Sequence, residues 1–169
     1  MIRLKLSALT HAVVGQHESI DLEVDDVTVD DLELAFLKGE LELTRVEEGI
    51  LVQGELHGEA KTECTRCLTP FYVPITFELE DIISLPNADL TPERPVRVNE
   101  NGWADLTPLV REYAWLALPV SPVCSSDCLG ICPECGGNRN LGECQCEEVE
   151  EIDPRWNALR QLVDQSDDV

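Results

Sequence analysis

Positive charge is scarce in this sequence. Twelve Lys and Arg stand against thirty-four Asp and Glu, for a formal net charge of −22 with His neutral. The bases are scattered singly: Arg3, Lys5, Lys38, Arg45, Lys61, Arg66, Arg94, Arg97, Arg111, Arg139, Arg155 and Arg160. Binding along a phosphate backbone needs clustered Lys and Arg that release counterions. Without such a cluster, extended direct contact with nucleic acid is not expected, and only a local basic spot stays compatible with the composition. Aromatic residues are also few, at 5%, so a core must rest on Leu, Val and Ile. No apolar run approaches the ~20 residues of a membrane span. The stretch Met1-Ile2-Arg3-Leu4-Lys5-Leu6-Ser7 alternates and carries charge, unlike an apolar leader. A cytoplasmic location follows as the expectation, and there thiols stay reduced.

Hydrophobic residues still make up 43% of the 169, which argues against disorder throughout. The first half alternates as half-buried strands do. Ile2, Leu4 and Leu6 show the pattern. So do Ile20, Leu22 and Val24, ahead of an acidic turn at Asp25-Asp26. A hairpin is expected from Ala35 to Ala60, with Leu41 and Leu43 on one arm and Ile50 and Val52 on the other. Glu47-Glu48-Gly49 would form its turn, Gly49 supplying a positive φ. Phe71 to Leu85 reads as another long strand, and Pro74 within it points to an edge position or a late strand start. Pro86 to Pro95 is a loop, and Val96-Arg97-Val98 is extended again.

Two helices are expected. Asp105 or Thr107 caps the first, over about 106–118, with Leu109, Tyr113 and Leu116 on one face and Pro119 as its stop. Asp153-Pro154 opens the second, lined by Trp156, Leu159 and Val163. The fold class is therefore α+β: a mostly antiparallel β N-terminal and central part, one central helix, a zinc-knuckle segment and a C-terminal helix. The expected division is a β-rich domain over 1–123 and a cysteine-rich segment with the last helix over 124–169, packed on the first part.

Eight cysteines fall into four close pairs: Cys64/Cys67, Cys124/Cys128, Cys132/Cys135 and Cys144/Cys146. Tetrahedral zinc takes four soft ligands at about 2.3 Å from each sulfur. Two thiolates separated by two residues reach one ion across a tight turn. Pro133 and the Gly136-Gly137 pair suit Cys132 and Cys135 to such a turn. Four pairs make two four-cysteine sites with no thiol left over. The most local grouping joins Cys132, Cys135, Cys144 and Cys146, leaving Cys64, Cys67, Cys124 and Cys128 to tie the β half to the later segment. Other partitions swap whole pairs. Free buried cysteines would not cluster this way, and disulfides want an oxidising compartment. A thioredoxin-like pair would open a helix in a βαβ unit, whereas Cys64/Cys67 lies between two β runs. An iron–sulfur cluster takes the same donors.

Four thiolates leave no open position for a catalytic zinc. His11, His17 and His57 lie far from the cysteine segment in sequence and read as surface or strand residues. No nucleophile motif or phosphate-cradling loop is present, so no enzyme is expected. The acid excess has a bland reading, solubility, and a sharper one, attraction to a basic protein partner.

Cys64-x-Arg66-Cys67-Leu68, Asp105-Leu106, Ala117-Leu118-Pro119, Cys124-x3-Cys128-x-Gly130-x-Cys132-Pro133-x-Cys135-Gly136-x-Asn138-x-Asn140, Cys144-x-Cys146 and Ile152-Asp153-Pro154-Arg155 follow one another in an order that resembles the YceD family, the large ribosomal RNA subunit accumulation proteins of bacteria and plastids. Arg139 departs from the small or apolar residue usual there. The resemblance implies a part in accumulation of large-subunit ribosomal RNA, hence in large-subunit biogenesis, and no catalytic activity. Genes of the family often lie beside the gene of a small, basic, zinc-containing ribosomal protein. A basic ribosomal protein or a large-subunit precursor is the expected partner, and no membrane. Two other classes stand beside this one: an RNA-binding zinc module using Arg66 and Arg139, and a metal-dependent hydrolase.

Overall fold

The computed structural model describes residues 1–146 except 87, 89, 90 and 93. The expected C-terminal helix lies outside the described residues, as does part of the Pro86–Pro95 loop. Chain contacts divide the protein into two compact units, Met1–Cys128 and Leu129–Val169.

The first unit is built on four long strands, β2 (His17–Val29), β3 (Leu32–Val46), β4 (Gly49–Glu63) and β5 (Pro70–Ser84). They pair antiparallel in the order β2-β3-β4-β5, a simple meander. Alternation places Leu41, Leu43, Ile50, Val52, Leu56, Ile75 and Leu79 on the buried face, each contributing about 1.5–3 kcal/mol of burial if fully covered. Pro74 does fall on an edge strand, where its missing N–H breaks no ladder.

The acidic pair Asp25-Asp26 does not turn the chain. Strand β2 runs through it to a two-residue turn at Asp30-Asp31, where Val29 pairs with Leu32. Asp26 adopts φ 47°, opposite a register shift in β3 between Leu34 and Phe36. The extra residue reverses the alternation. Leu32 and Leu34 are buried before it and Leu37 and Leu41 after it; on β2, Leu22 is buried on one side and Val27 and Val29 on the other. Gly49 also plays a different part from the one expected. It carries no positive φ; it opens β4, and a Cβ there would strike the Ile83 carbonyl and the Ile82 side chain.

A short strand β1 (Arg3–Lys5) pairs antiparallel with β6 (Trp103–Asp105). A single helical turn, α1 (Ser7–Thr10), follows β1, and α2 (Thr107–Ala117) follows β6. Asp105 Oδ1 accepts from the Thr107 amide at 3.0 Å and from its hydroxyl at 2.5 Å. The Thr107 hydroxyl oxygen accepts in turn from the Ile2 amide at 2.9 Å. Helix α2 buries Leu109, Val110 and Ala114 and touches both β5 and β2. Tyr113 donates to the Glu80 carbonyl at 2.8 Å, and Arg111 reaches Asp31 at 2.7 Å. The predicted contact face needs one change: Leu116 is 79% exposed, because the buried stripe turns through Val110 and Ala114. Leu118 leaves the helix in an extended conformation just before Pro119.

Candidate metal centres

Two turns with the same construction present the Cys-x-x-Cys pairs. In the first, the Cys64 amide donates to the Thr69 carbonyl at 3.0 Å and the Leu68 amide to the Cys64 carbonyl at 2.9 Å. In the second, the Cys132 amide donates to the Gly137 carbonyl and the Gly136 amide to the Cys132 carbonyl, both at 2.9 Å. The residue after the second cysteine is left-handed in each, Leu68 at φ 59° and Gly136 at φ 71°. Glycine takes that conformation freely; leucine is strained there, at a cost of order 1–3 kcal/mol. The sequence advertises the second turn through its glycines and hides the first.

The first turn joins β4 to β5. The segment after α2 is laid against it: Thr65 donates to the Pro122 carbonyl through its amide at 2.9 Å and its hydroxyl at 3.1 Å. Arg66 donates to the Cys128 carbonyl at 3.3 Å. Cys64 Sγ then lies 3.8 Å from Cys128 Sγ, and Cys67 Sγ 3.6 Å from Cys124 Sγ. Cys64, Cys67 and Cys128 are buried, with Phe71 and Val123 packed beside them, and Cys124 is exposed.

The second set lies wholly within the second unit. Gly130 accepts from the Arg139 amide at 3.0 Å, and Asn140 Oδ1 accepts from the Leu129 amide at 2.8 Å. Asn138 Oδ1 accepts from the amide and side chain of Asn140 at 3.0 and 2.9 Å. A 3-10 turn over Arg139–Leu141 ends at Gly142, left-handed at φ 69°. These contacts return the chain so that Cys144 and Cys146 meet Cys132 and Cys135. Sequence reasoning named the two asparagines only as part of a motif; their role is to staple this loop.

The eight thiols thus gather as Cys64, Cys67, Cys124, Cys128 and as Cys132, Cys135, Cys144, Cys146, the Sγ atoms of each set lying within 4.8 Å of one another. His11, His17 and His57 are exposed and join neither set. A metal–sulfur bond of about 2.3 Å implies tetrahedral sulfur–sulfur edges of about 3.8 Å, which the 3.8 and 3.6 Å separations match. A disulfide would need about 2.05 Å.

The protonation balance points the same way. Burial pushes the Cys64 thiol up, but the backbone amides of Cys124, Cys67 and Arg66 outweigh it and bring it down to about 6. The Thr69 hydroxyl and amide lower Cys67. Cys124 is pushed up to about 12, first by the Cys67 thiol, then by burial and by Cys64 and Cys128. In the second set, the amides of Cys135 and Glu134 and the Cys144 thiol bring Cys132 down to about 6. Cys146 is pushed up to about 12 by the thiols of Cys135 and Cys144. In each site backbone donors favour anionic sulfur at one cysteine, Cys64 or Cys132, while neighbouring thiols oppose it at another, Cys124 or Cys146. A soft dication removes that conflict.

The family model described as "Large ribosomal RNA subunit accumulation protein YceD" matches residues 52–163. An uncharacterized protein of Mycobacterium tuberculosis (strain ATCC 25618 / H37Rv) is 33% identical over 132 residues, 76% of this chain and 63% of that protein. The uncharacterized protein YlbN of Bacillus subtilis (strain 168) is 25% identical over 114 residues, 67% of this chain and 66% of that protein. A chloroplastic protein of Arabidopsis thaliana, "Large ribosomal RNA subunit accumulation protein YCED homolog 1", is 33% identical over 61 residues, 36% of this chain and 19% of that protein. The chain spans under two thirds of the length of the mycobacterial relatives it matches. No solved structure matches.

Proposed function

The chain belongs to the YceD family, the large ribosomal RNA subunit accumulation proteins, and from that premise we propose that it acts as a non-enzymatic factor in large ribosomal subunit biogenesis, holding two structural zinc ions and working through a basic ribosomal protein. Cys64, Cys67, Cys124 and Cys128 hold one ion; Cys132, Cys135, Cys144 and Cys146 hold the other. When bound, each ion neutralises thiolate charge and cross-links the chain. Four protein donors per site leave no position for a substrate, which supports a structural role.

The observation that carries the choice of partner is the solvent face of the sheet. Asp21 stands directly opposite Glu40, and Glu55 directly opposite Glu78, all four exposed. Like charges directly opposed weaken a sheet. Such a face repels phosphate and attracts a cationic surface. Among the cations of this face, Lys38 is paired with Glu23 at 2.6 Å and Lys61 with Glu33 at 2.6 Å. Division into domains follows the same reading: the β unit provides the acidic surface, and the cysteine-rich segment with the C-terminal stretch forms the other part.

Affinity capture of the full chain from a lysate of its own source, with and without ribonuclease, tests the proposal. The expected result is a basic ribosomal protein retained after ribonuclease treatment. Complexes that all vanish with the RNA overturn it. Direct RNA binding that falls steeply with salt, with a slope reduced by Arg66→Ala or Arg139→Ala, would support the RNA-binding zinc module instead. Elemental analysis checks the metal: two zinc ions per chain are expected, and none in the reduced, folded protein removes the zinc reading.

A further inference from the structure

The two thiol sets differ in what else holds their surroundings together. The first is embedded in a unit with its own core, and three of its four thiols are buried. The second belongs to the stretch Leu129–Cys146, whose large aliphatic residues are Leu129, Ile131 and Leu141. All three face solvent, at 64%, 40% and 70% exposure. Of its four thiols only Cys132 is buried; Cys135 and Cys146 are exposed and Cys144 is half-buried. Its internal hydrogen bonds run among the Leu129–Ile131 segment, the Asn138–Leu141 turn and Cys132. Hydrogen bonds of this exposed kind add about 1 kcal/mol each at most, against about 1–2 kcal/mol of backbone entropy for every residue ordered. Among the described residues the stretch has no apolar core to close that gap.

We infer that the second site is an exchangeable zinc site whose ion decides whether Leu129–Cys146 is folded, and that the stretch folds and unfolds with the ion while Met1–Cys128 stays native. The inference rests on the zinc reading above. The metal-loaded state presents Leu129, Ile131 and Leu141 on a rigid frame; the metal-free state presents none of them in fixed register. Zinc availability thereby gates one exposed apolar surface in an otherwise constitutive protein. Ligand exchange proceeds through the exposed Cys135 and Cys146, whose sulfurs an incoming chelator can displace without the opening that the first site requires. No redox change is involved: the ion leaves as the dication, and the freed thiolates take up protons.

The test uses the full-length, reduced, zinc-loaded chain. It is titrated with EDTA while bound zinc is counted and backbone hydrogen exchange is followed by peptide. The expected course is biphasic, the ion of the second site leaving at least about tenfold faster than that of the first site. Protection should be lost over 129–146 in the fast phase and kept over β2–β5. Cys135→Ser should contain one ion, lack protection over 129–146 and leave exchange in β2–β5 unchanged. Two ions leaving in one phase overturn the inference alone. So does a fast phase that exposes Cys64–Cys67, or loss of the ion with 129–146 still protected. A starting protein without zinc overturns the zinc reading itself.

Discussion

Removing the tie made by the first site should cost unit Met1–Cys128 a large part of its stability. The perturbation is the double substitution Cys124→Ser with Cys128→Ser. Cys67 and Cys124 are 57 residues apart, and Cys64 and Cys128 are 64 apart. Treated as a chain cross-link of this length, the site lowers the entropy of the unfolded chain by an amount worth about 4 kcal/mol at 25 °C. The variant keeps both Thr65 bonds to the Pro122 carbonyl, which moderates the loss, so about 3–4 kcal/mol is expected. A domain of this size has only about 5–15 kcal/mol in total. Urea unfolding followed by circular dichroism reads the change. With a slope of about 2 kcal/mol per molar, the midpoint should fall by about 1.5–2 M, and elemental analysis should give one zinc where the parent gives two. Cys144→Ser with Cys146→Ser is the control: it also removes one ion, yet the sheet midpoint should not move. A loss below about 1 kcal/mol in the first variant, or an equal loss in the control, refutes the cross-link argument.

Gly54→Val should destabilise the sheet by about 1–3 kcal/mol, because a side chain there meets the Glu40 carbonyl and the Leu41 side chain; thermal unfolding measures it. Leu41→Ala, at a position with 0% exposure, should cost about 2–5 kcal/mol by the same assay. The Arg111 guanidinium hydrogen-bonded to Asp31 holds that carboxyl below its ordinary 3.8. Its contribution to stability is present above pH 3.8 and lost as pH falls through the lower folded value. An NMR titration of Asp31 should show the depressed midpoint, and Arg111→Leu should return it toward 3.8.

Elements whose evidence is local were readable in the sequence. The Ala35–Ala60 hairpin, the edge position of Pro74 and the helix near 106–118 each follow from short-range pattern. The turn at Asp25-Asp26 was misplaced because two aspartates read as a turn, whereas Asp26 takes a positive φ inside a strand that continues. Only pairing with β3 distinguishes the cases, along with the reversal of burial from Leu22 to Val27. Leu116 fits the helical period as well as Val110 does, and the choice between them is made by β5 and β2. The grouping of thiols was legible for the local second set. For the first it depended on β4, β5 and the end of α2 meeting at one place, which the Thr65–Pro122 contacts record and no periodicity could reveal.

The carboxylates along β2 have one more effect. Strand β2 spans His17–Val29 at the border of the sheet, so one side of its backbone has no neighbouring strand among the described residues. A bare border of that length invites a second copy to add itself, the first step of aggregation. Glu18, Asp21, Glu23, Asp25 and Asp26 lie along it, and Asp26 interrupts its extended backbone with a φ of 47°. Two identical borders would bring these acids face to face. Their mutual repulsion opposes edge-to-edge pairing of two copies, so the same carboxylates that colour the charge of the face also guard its border.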